Sequence, residues 1–406
     1  MADAFVWRGG SGSFGTAGNW NDQTTNTDPA LTPPGAADTA EFASGAGTIT
    51  GTGTVANLQF LGTVAWTVGG DAVLSATAAF LDEANLTIQA GATITDSGSS
   101  GVIDSGDTAT TATLSVTGTG SEFAVTGSST WLYVGTGGDG SLSVSDGASV
   151  NAAFLISMAG ALGTSVIHVD SESSLEIGTT GGAAAGALTV DAGASPQLFG
   201  YGTIAANVVN NNFITADSNS SDFELEITGA VTGTGTLEMQ HGYHTSPTEL
   251  VYGGVLRLDG SVASTQQVEF DYSSDLTEAP ELILGDPTDF HATLDDFHVP
   301  GATIDLVGDT VTGASVNGSI MTVTLASGGP LTFALGGVIP LTSQLIATGS
   351  EVRVLPVRAL DWTGASDSVF SNALNWNDTT DAQNPSTSAP GASDLAIIAN
   401  AGSVHC

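Results

Sequence analysis

Carboxylates have the most chemistry to offer in this chain, and four of them gather with two imidazoles in one short stretch. Asp286, Asp289, Asp295 and Asp296 are interleaved with His291 and His298. Such a set reads as ligands for a divalent cation, Ca2+ above all, or as an acid/base pair for glycan cleavage. Pro287 and Pro300 stand beside them. Aspartate next to proline is also ordinary turn chemistry, the side chain accepting from nearby backbone amides. The turn reading is the expected one, with the four aspartates as the metal candidates. His241 and His244 form an HxxH pair without a helix or a third ligand, so a loop between strands is expected there. Gly137-Gly138-Asp139-Gly140 shares its glycines with calcium-binding nonapeptides but lacks the full pattern. With no lysine in the chain, no glycine-rich run can complete a phosphate loop. No nucleophile-bearing motif stands out. No catalytic or cofactor-binding residue is assigned, an enzyme is not expected, and no cofactor should be required.

Aromatic residues give a second candidate set. Trp7 is followed by Asn19-Trp20-Asn21-Asp22 and then Pro34-Gly35-Ala36-Ala37-Asp38. Far along the chain, Trp362 is followed by Asn375-Trp376-Asn377-Asp378 and Pro390-Gly391-Ala392-Ser393-Asp394. From the second tryptophan to the Pro-Gly pair the spacing is 14 residues in each copy, and the copies are offset by 356. The chain therefore holds one module and the beginning of another. Trp7, Trp20, Pro34, Asp38, Trp362, Trp376, Pro390 and Asp394 are expected at a module or subunit junction, plugging the end of a stack. Stacking of these tryptophans on sugars is the lesser alternative.

Between the copies runs a repeated sentence of alternating apolar and small polar residues broken by a glycine-bearing turn. Its clearest form spans residues 131–150, with Leu142-Ser-Val144 and Gly147-Ala-Ser-Val150. Starts at Leu58, Leu86, Leu114 and Leu142 are 28 residues apart, and the next steps are 25 and 21. Alternation by two, abundant β-branched residues and glycine at nearly every boundary predict strands and no helix. A single circuit of such strands cannot bury its apolar face, whereas many stacked in register can. About eleven circuits between residues 50 and 285 predict a rod on the order of 50 Å long. Leu142 and Val144 should face its interior. Asn207 and Asn210 to Asn212 are expected to stabilise corners. The expected division is an opening motif and cap over 1–50, a parallel β-solenoid over 51–280, a β-rich capping or connecting element over 281–355, and a partial second opening motif over 356–406.

The 406 residues carry 42 acidic side chains against four basic ones, a net charge of -38. That charge repels phosphate backbones and anionic bilayers, so nucleic acid is not an expected partner. No apolar run is long enough to span a bilayer, and the first residues lack a secretory leader pattern. One cysteine, Cys406, excludes an internal disulfide framework.

Residues 134–150, the 202–214 stretch, Val231-Thr-Gly-Thr-Gly-Thr-Leu237, and Phe297 with Ile304-Asp305-Leu306 resemble repeats of bacterial autotransporter passengers and giant secreted adhesin-like proteins, in that order. The tryptophan motif resembles their module openings. No outer-membrane barrel accompanies it. The resemblance implies a right-handed parallel β-helix at the bacterial cell surface and supplies no catalytic residue. The expected function is a non-enzymatic building unit of a surface fibre, biofilm matrix or adhesin, with itself as partner, head to tail or as tandem modules. A carbohydrate-binding or carbohydrate-cleaving β-helix, with host or matrix glycans as partners, is the alternative, and a calcium-stiffened surface assembly the third.

Overall fold

A computed structural model describes residues 2–98, 100–106, 110–127, 131–135, 137–153, 155–158, 164–170, 172–178, 187–192, 196–217, 224–240, 253–271, 279–299, 301–336, 343–356, 359–363, 365–366, 369–378, 384–390 and 395–397. The protein is all-β, with 57% of residues in strands and 2% helical. Most strands are parallel and lie in long sheets, an arrangement compatible with a β-helix.

Three columns of strands share the work. One begins at Gly12–Ser13 and Gly47–Thr50 and continues through Ala65–Val68, Asn85–Gln89, Thr111–Thr117 and Asp139–Ser145. A second holds Thr93–Asp96, Glu122–Val125, Ser149–Ala152 and their successors to Thr303–Leu306. A third runs from Ala4–Trp7 and Thr39–Phe42 through Ser100–Ile103 and Trp131–Val134 to Val231–Gly233. Successive strands of the chain take the columns in turn. The long strands Thr52–Phe60 and Val73–Asp82 bend from the second column into the third, which joins those two columns into one sheet.

Registers place like residues over like. In the first column Trp66, Leu86, Leu114, Leu142, Ile167, Leu198, Ile214, Leu237, Val268 and Leu294 pair in sequence, and all are buried. Each is worth about 1.5–3 kcal/mol of burial. Leu142 and Val144 face the interior as expected. The same register corrects the phase of the repeat. Leu58 pairs with Ala40 and Phe80 in the third column, and Leu188 pairs with Ile156 and Val208 there, so neither belongs with Leu86. Read down the first column, the steps from Trp66 are 20, 28, 28, 25, 31, 16, 23, 31 and 26 residues. Among the described residues nine first-column strands lie between residues 50 and 285, against the expected eleven circuits.

Corners explain the glycine-bearing turns. Ala90, Asp146, Glu172 and Asp296 adopt left-handed backbone conformations, with φ between 56 and 58°, where the chain leaves the first column. Gly200 has a stricter reason to be glycine. Its φ is +142°, and a Cβ there would stand 1.9 Å from the Val169 carbonyl oxygen. No side chain fits between those circuits. The asparagine expectation resolves into backbone stitching: Asn207 Oδ1 accepts from the Ala230 amide at 2.9 Å, and Asn211 Oδ1 from Thr234 at 3.3 Å. Asn210 turns inward, buried, and shares hydrogen bonds with Gln266 and the Thr236 carbonyl.

The boundary expected at residue 280 falls inside the parallel columns. Glu281–Leu284 and Thr303–Leu306 continue the second column, and Thr293–Asp295 the first. Their apolar alternation is unchanged; the intervening loops obscure it in sequence. The element that ends the stack is antiparallel. Val311–Asn317, Ile320–Leu325 and Leu331–Gly336 form a meander whose last strand lies parallel to Thr293–Asp295. Ser343–Thr348 and Glu351–Pro356 form a hairpin that pairs antiparallel with Thr303–Leu306. These hairpins occupy the last edges of two columns, which would otherwise template pairing with other chains.

Candidate functional site

Both tryptophan motifs fold into the same small unit. In the first, Ala4–Trp7 pairs antiparallel with Trp20–Asp22 and parallel with Thr39–Phe42, setting Trp7 opposite Trp20. In the second, Ala359–Trp362 pairs antiparallel with Trp376–Asp378 and parallel with Leu395–Ile397, setting Trp362 opposite Trp376. The indoles meet edge to face in both, with ring centroids 4.9 and 5.0 Å apart. Trp20 Nε1 donates to the Phe14 carbonyl and Trp376 Nε1 to the Phe370 carbonyl, each at 2.8 Å. Phe14 and Phe370 pack edge-on against the same tryptophans at 5.0 and 4.9 Å. The two phenylalanines went unnoticed in sequence, although each precedes its tryptophan by six residues.

The polar residues of the motif hold its turns. Asp38 accepts from the Gly35 amide through Oδ2 (2.8 Å) and from the Asp3 amide through Oδ1 (2.9 Å), while Pro34 is buried. Asp22 accepts from the Thr24 and Thr25 amides and the Thr25 hydroxyl, which lowers its pKa. Pro390 is half-buried, and Asp394 lies outside the described residues. Trp7, Trp20 and Trp376 are buried and offer no face to a sugar.

The aspartates singled out from sequence separate into two places. Asp286 accepts from the Thr288 amide and hydroxyl, as turn chemistry predicts. Asp289 gives its carbonyl to the Val262 amide near the third column. Asp295 and Asp296 lie at the end of a first-column strand, Asp296 being a left-handed corner residue 3.6 Å from His298 Nδ1. Among the described residues no group of three or more acidic, histidine or cysteine side chains could hold a metal ion. His241, His244 and Cys406 lie outside the described residues. Gly140 is packed so closely that a Cβ would lie 2.4 Å from the Ile103 carbonyl oxygen, and Asp139 Oδ1 accepts from Thr164. The Gly-Gly-Asp-Gly run thus stitches neighbouring circuits.

Asp295 instead joins a ladder that sequence reasoning missed. On the outside of the first column His168, Phe199, Thr215, Glu238, Glu269 and Asp295 pair in succession. The His168 and Phe199 rings lie 4.8 Å apart, with Tyr201 edge-on to the histidine at 6.2 Å. Below them three acidic positions recur once per circuit, on strands spaced about 4.8 Å apart. Partial burial raises the Glu269 pKa, and repulsion from Glu238, Asp296, Asp271 and Asp295 adds to it. Burial and Asp296 raise that of Asp295. Only the register exposes this column, because the intervals between its members vary too much to read as a motif.

Two further acids face inward. Asp82 and Asp96 are fully buried; each Oδ1 accepts one amide, from Ala84 and Gly98, while each Oδ2 has no partner. Burial raises both pKa values, that of Asp82 well above the carboxylate range. No family model matches the chain, and neither curated proteins nor solved structures give a match. No helix among the described residues is long and apolar enough to cross a membrane.

Proposed function

We propose that this protein is a non-enzymatic, extracellular structural unit, a right-handed parallel β-helix that builds a bacterial surface fibre, matrix or adhesin. The observation that carries the reading is the duplicated tryptophan unit: one polypeptide folds it twice, before and after the registered strands along the chain. Right-handedness follows from the strong preference of parallel crossovers for that hand. A stack of registered strands resists fraying, because each circuit is held by both neighbours. The acidic surface suits solubility outside the cell and disfavours nucleic acid and anionic membranes. Modules joined end to end through the caps, in tandem or between subunits, would lengthen the rod without new chemistry. Deleting residues 356–406 and examining assembly by electron microscopy tests this role; fibres identical to those of the full chain would remove the terminal unit from it.

The second reading is a carbohydrate-binding or carbohydrate-cleaving face. It is favoured by the outer ladder that passes from the His168 and Phe199 rings to Glu238, Glu269 and Asp295. Carboxyls on neighbouring strands, with the pKa values of Glu269 and Asp295 raised by burial, supply the pair of acids that glycoside hydrolysis uses. A glycan array with a reducing-sugar assay separates the readings, and turnover abolished by Glu269→Gln would establish the second.

A further inference from the structure

We propose that the inner face of the second cap, made by Trp362, Phe370 and the strand Leu395–Ile397, docks the first circuit of a further body with the sequence of residues 43–82. This inference rests on the structural-module reading and names the partner of its terminal unit. The two caps share their strand registers, their indole pair and their buried second tryptophan. What separates them is cover. Trp7, Phe14 and Ala40 are 1%, 1% and 0% exposed. Their counterparts Trp362, Phe370 and Ala396 are only half-buried.

Trp7 is covered by Trp20 and Phe42 of its own cap, and the circuit that follows covers Phe14, Ala40 and Phe42. Thr39–Phe42 pairs in parallel with residues 57–60, in the register Ala40 to Leu58 and Phe42 to Phe60. Phe60 stacks on Phe42 at 4.8 Å and 9°, and Trp66 meets the same ring edge-on at 5.4 Å. Phe14 lies against the backbone of Gly53, where a Cβ would be 2.1 Å from its ring. Among the described residues Leu395–Ile397 pairs on one side only, with Ala359–Trp362. Its other edge is the one that Thr39–Phe42 gives to the next circuit.

On the opposite side, among the described residues, the strand of the second tryptophan already accepts a backbone hydrogen bond in each cap. In the first, the Trp20 carbonyl accepts from Ala30 at 2.8 Å and Asp22 pairs with Thr27. In the second, the Trp376 carbonyl accepts from Ser386 at 2.8 Å. The head of another subunit would therefore meet the tail with its ladder already used. The fitting occupant is a body circuit carrying glycine at the phenylalanine contact and a Leu-x-aromatic strand, as residues 43–82 do.

The test extends the chain: residues 1–398 are followed directly by a second copy of residues 43–356. Ile397→Cys is combined with Gln59→Cys of the appended copy. Glu41→Cys with Gln59→Cys of the first copy is the positive control, since that pair is in register. Neighbouring parallel strands bring such positions within disulfide reach. Both pairs should oxidise spontaneously, and the amides of 395–397 should exchange at least tenfold more slowly than in the 406-residue chain. A control that crosslinks while the appended pair does not would overturn the proposal, as would unchanged exchange or an appended body that stays unfolded beside a folded first one. Fibres formed by the native protein, together with failure of the appended pair to crosslink in the extended chain, would leave the structural role standing and sink only the docking.

Discussion

Replacing Trp7 and Trp362 by alanine, one at a time, should weaken the two caps unequally. Trp7 is 1% exposed, donates its indole N–H to the Gly10 carbonyl at 3.0 Å, and contacts Trp20 and Phe42 at centroid distances of 4.9 and 5.3 Å. Truncating a tryptophan so enclosed costs about 3–5 kcal/mol. Trp362 keeps the edge contact with Trp376 but is half-buried, so its loss should cost less than half as much, about 1–2 kcal/mol. Stacked repeats pass a perturbation mainly to their neighbours. Amides of residues 39–42 and 57–60 should therefore exchange faster by about a hundredfold or more in Trp7→Ala, at 1.4 kcal/mol per tenfold. Exchange at residues 281–284 should not change. In Trp362→Ala the acceleration at 359–362 should be nearer tenfold. Hydrogen exchange read by mass spectrometry resolves these segments. Equal effects in the two caps, or loss of protection throughout the stack, would refute the idea that the first tryptophan is an end plug packed under Phe42, which the next circuit covers.

Other perturbations follow from the same geometry. Asp82 has its folded pKa raised, so the native state binds more protons between the unfolded value near 3.9 and the folded one, and stability falls as pH rises through that window. Asp82→Asn, which keeps the acceptor for the Ala84 amide, should raise the melting temperature at pH 7 and flatten its dependence on pH; a lower melting temperature at pH 7 would contradict the burial argument. Gly200→Ala should cost about 2 kcal/mol or more, since it combines an unfavourable φ with a clash against the Val169 carbonyl, and a chemical melt matching the parent would count against the packing described. Glu269→Gln should stabilise modestly at neutral pH by removing a charge that Glu238, Asp271, Asp295 and Asp296 repel. Adding a chelator should leave the melting temperature unchanged, and a drop would revive the calcium-stiffened reading.

The strand pattern was legible because the body obeys one rule, apolar residues every second position with small residues at corners. Leu142 and Val144 are interior for the reason their alternation suggests. The phase was harder to read. Leu58-Gln-Phe60 and Leu188-Thr-Val190 have the right local pattern, yet they belong to the third column, since alternation is the same on every face. Equal spacing of Leu58, Leu86, Leu114 and Leu142 concealed that Trp66, not Leu58, stands above Leu86. The cap was visible as a duplicated motif because tryptophan is rare and its spacing was kept. Its cover was not, since Phe14 and Phe42 are closed over by Gly53 and Phe60, which carry no signature of that role. The carboxylate ladder stayed hidden because Glu238, Glu269 and Asp295 become neighbours only through register, while the aspartates clustered in sequence are divided between two parts of the stack.

An electron micrograph of the material in its native setting addresses the central claim most directly. The thirteen parallel first-column strands among the described residues predict bodies about 60 Å long at one strand per 4.8 Å. Rods of that length joined in line, with caps recurring along a continuous filament, are the expected result. Separate globular particles with no axial repeat would contradict it.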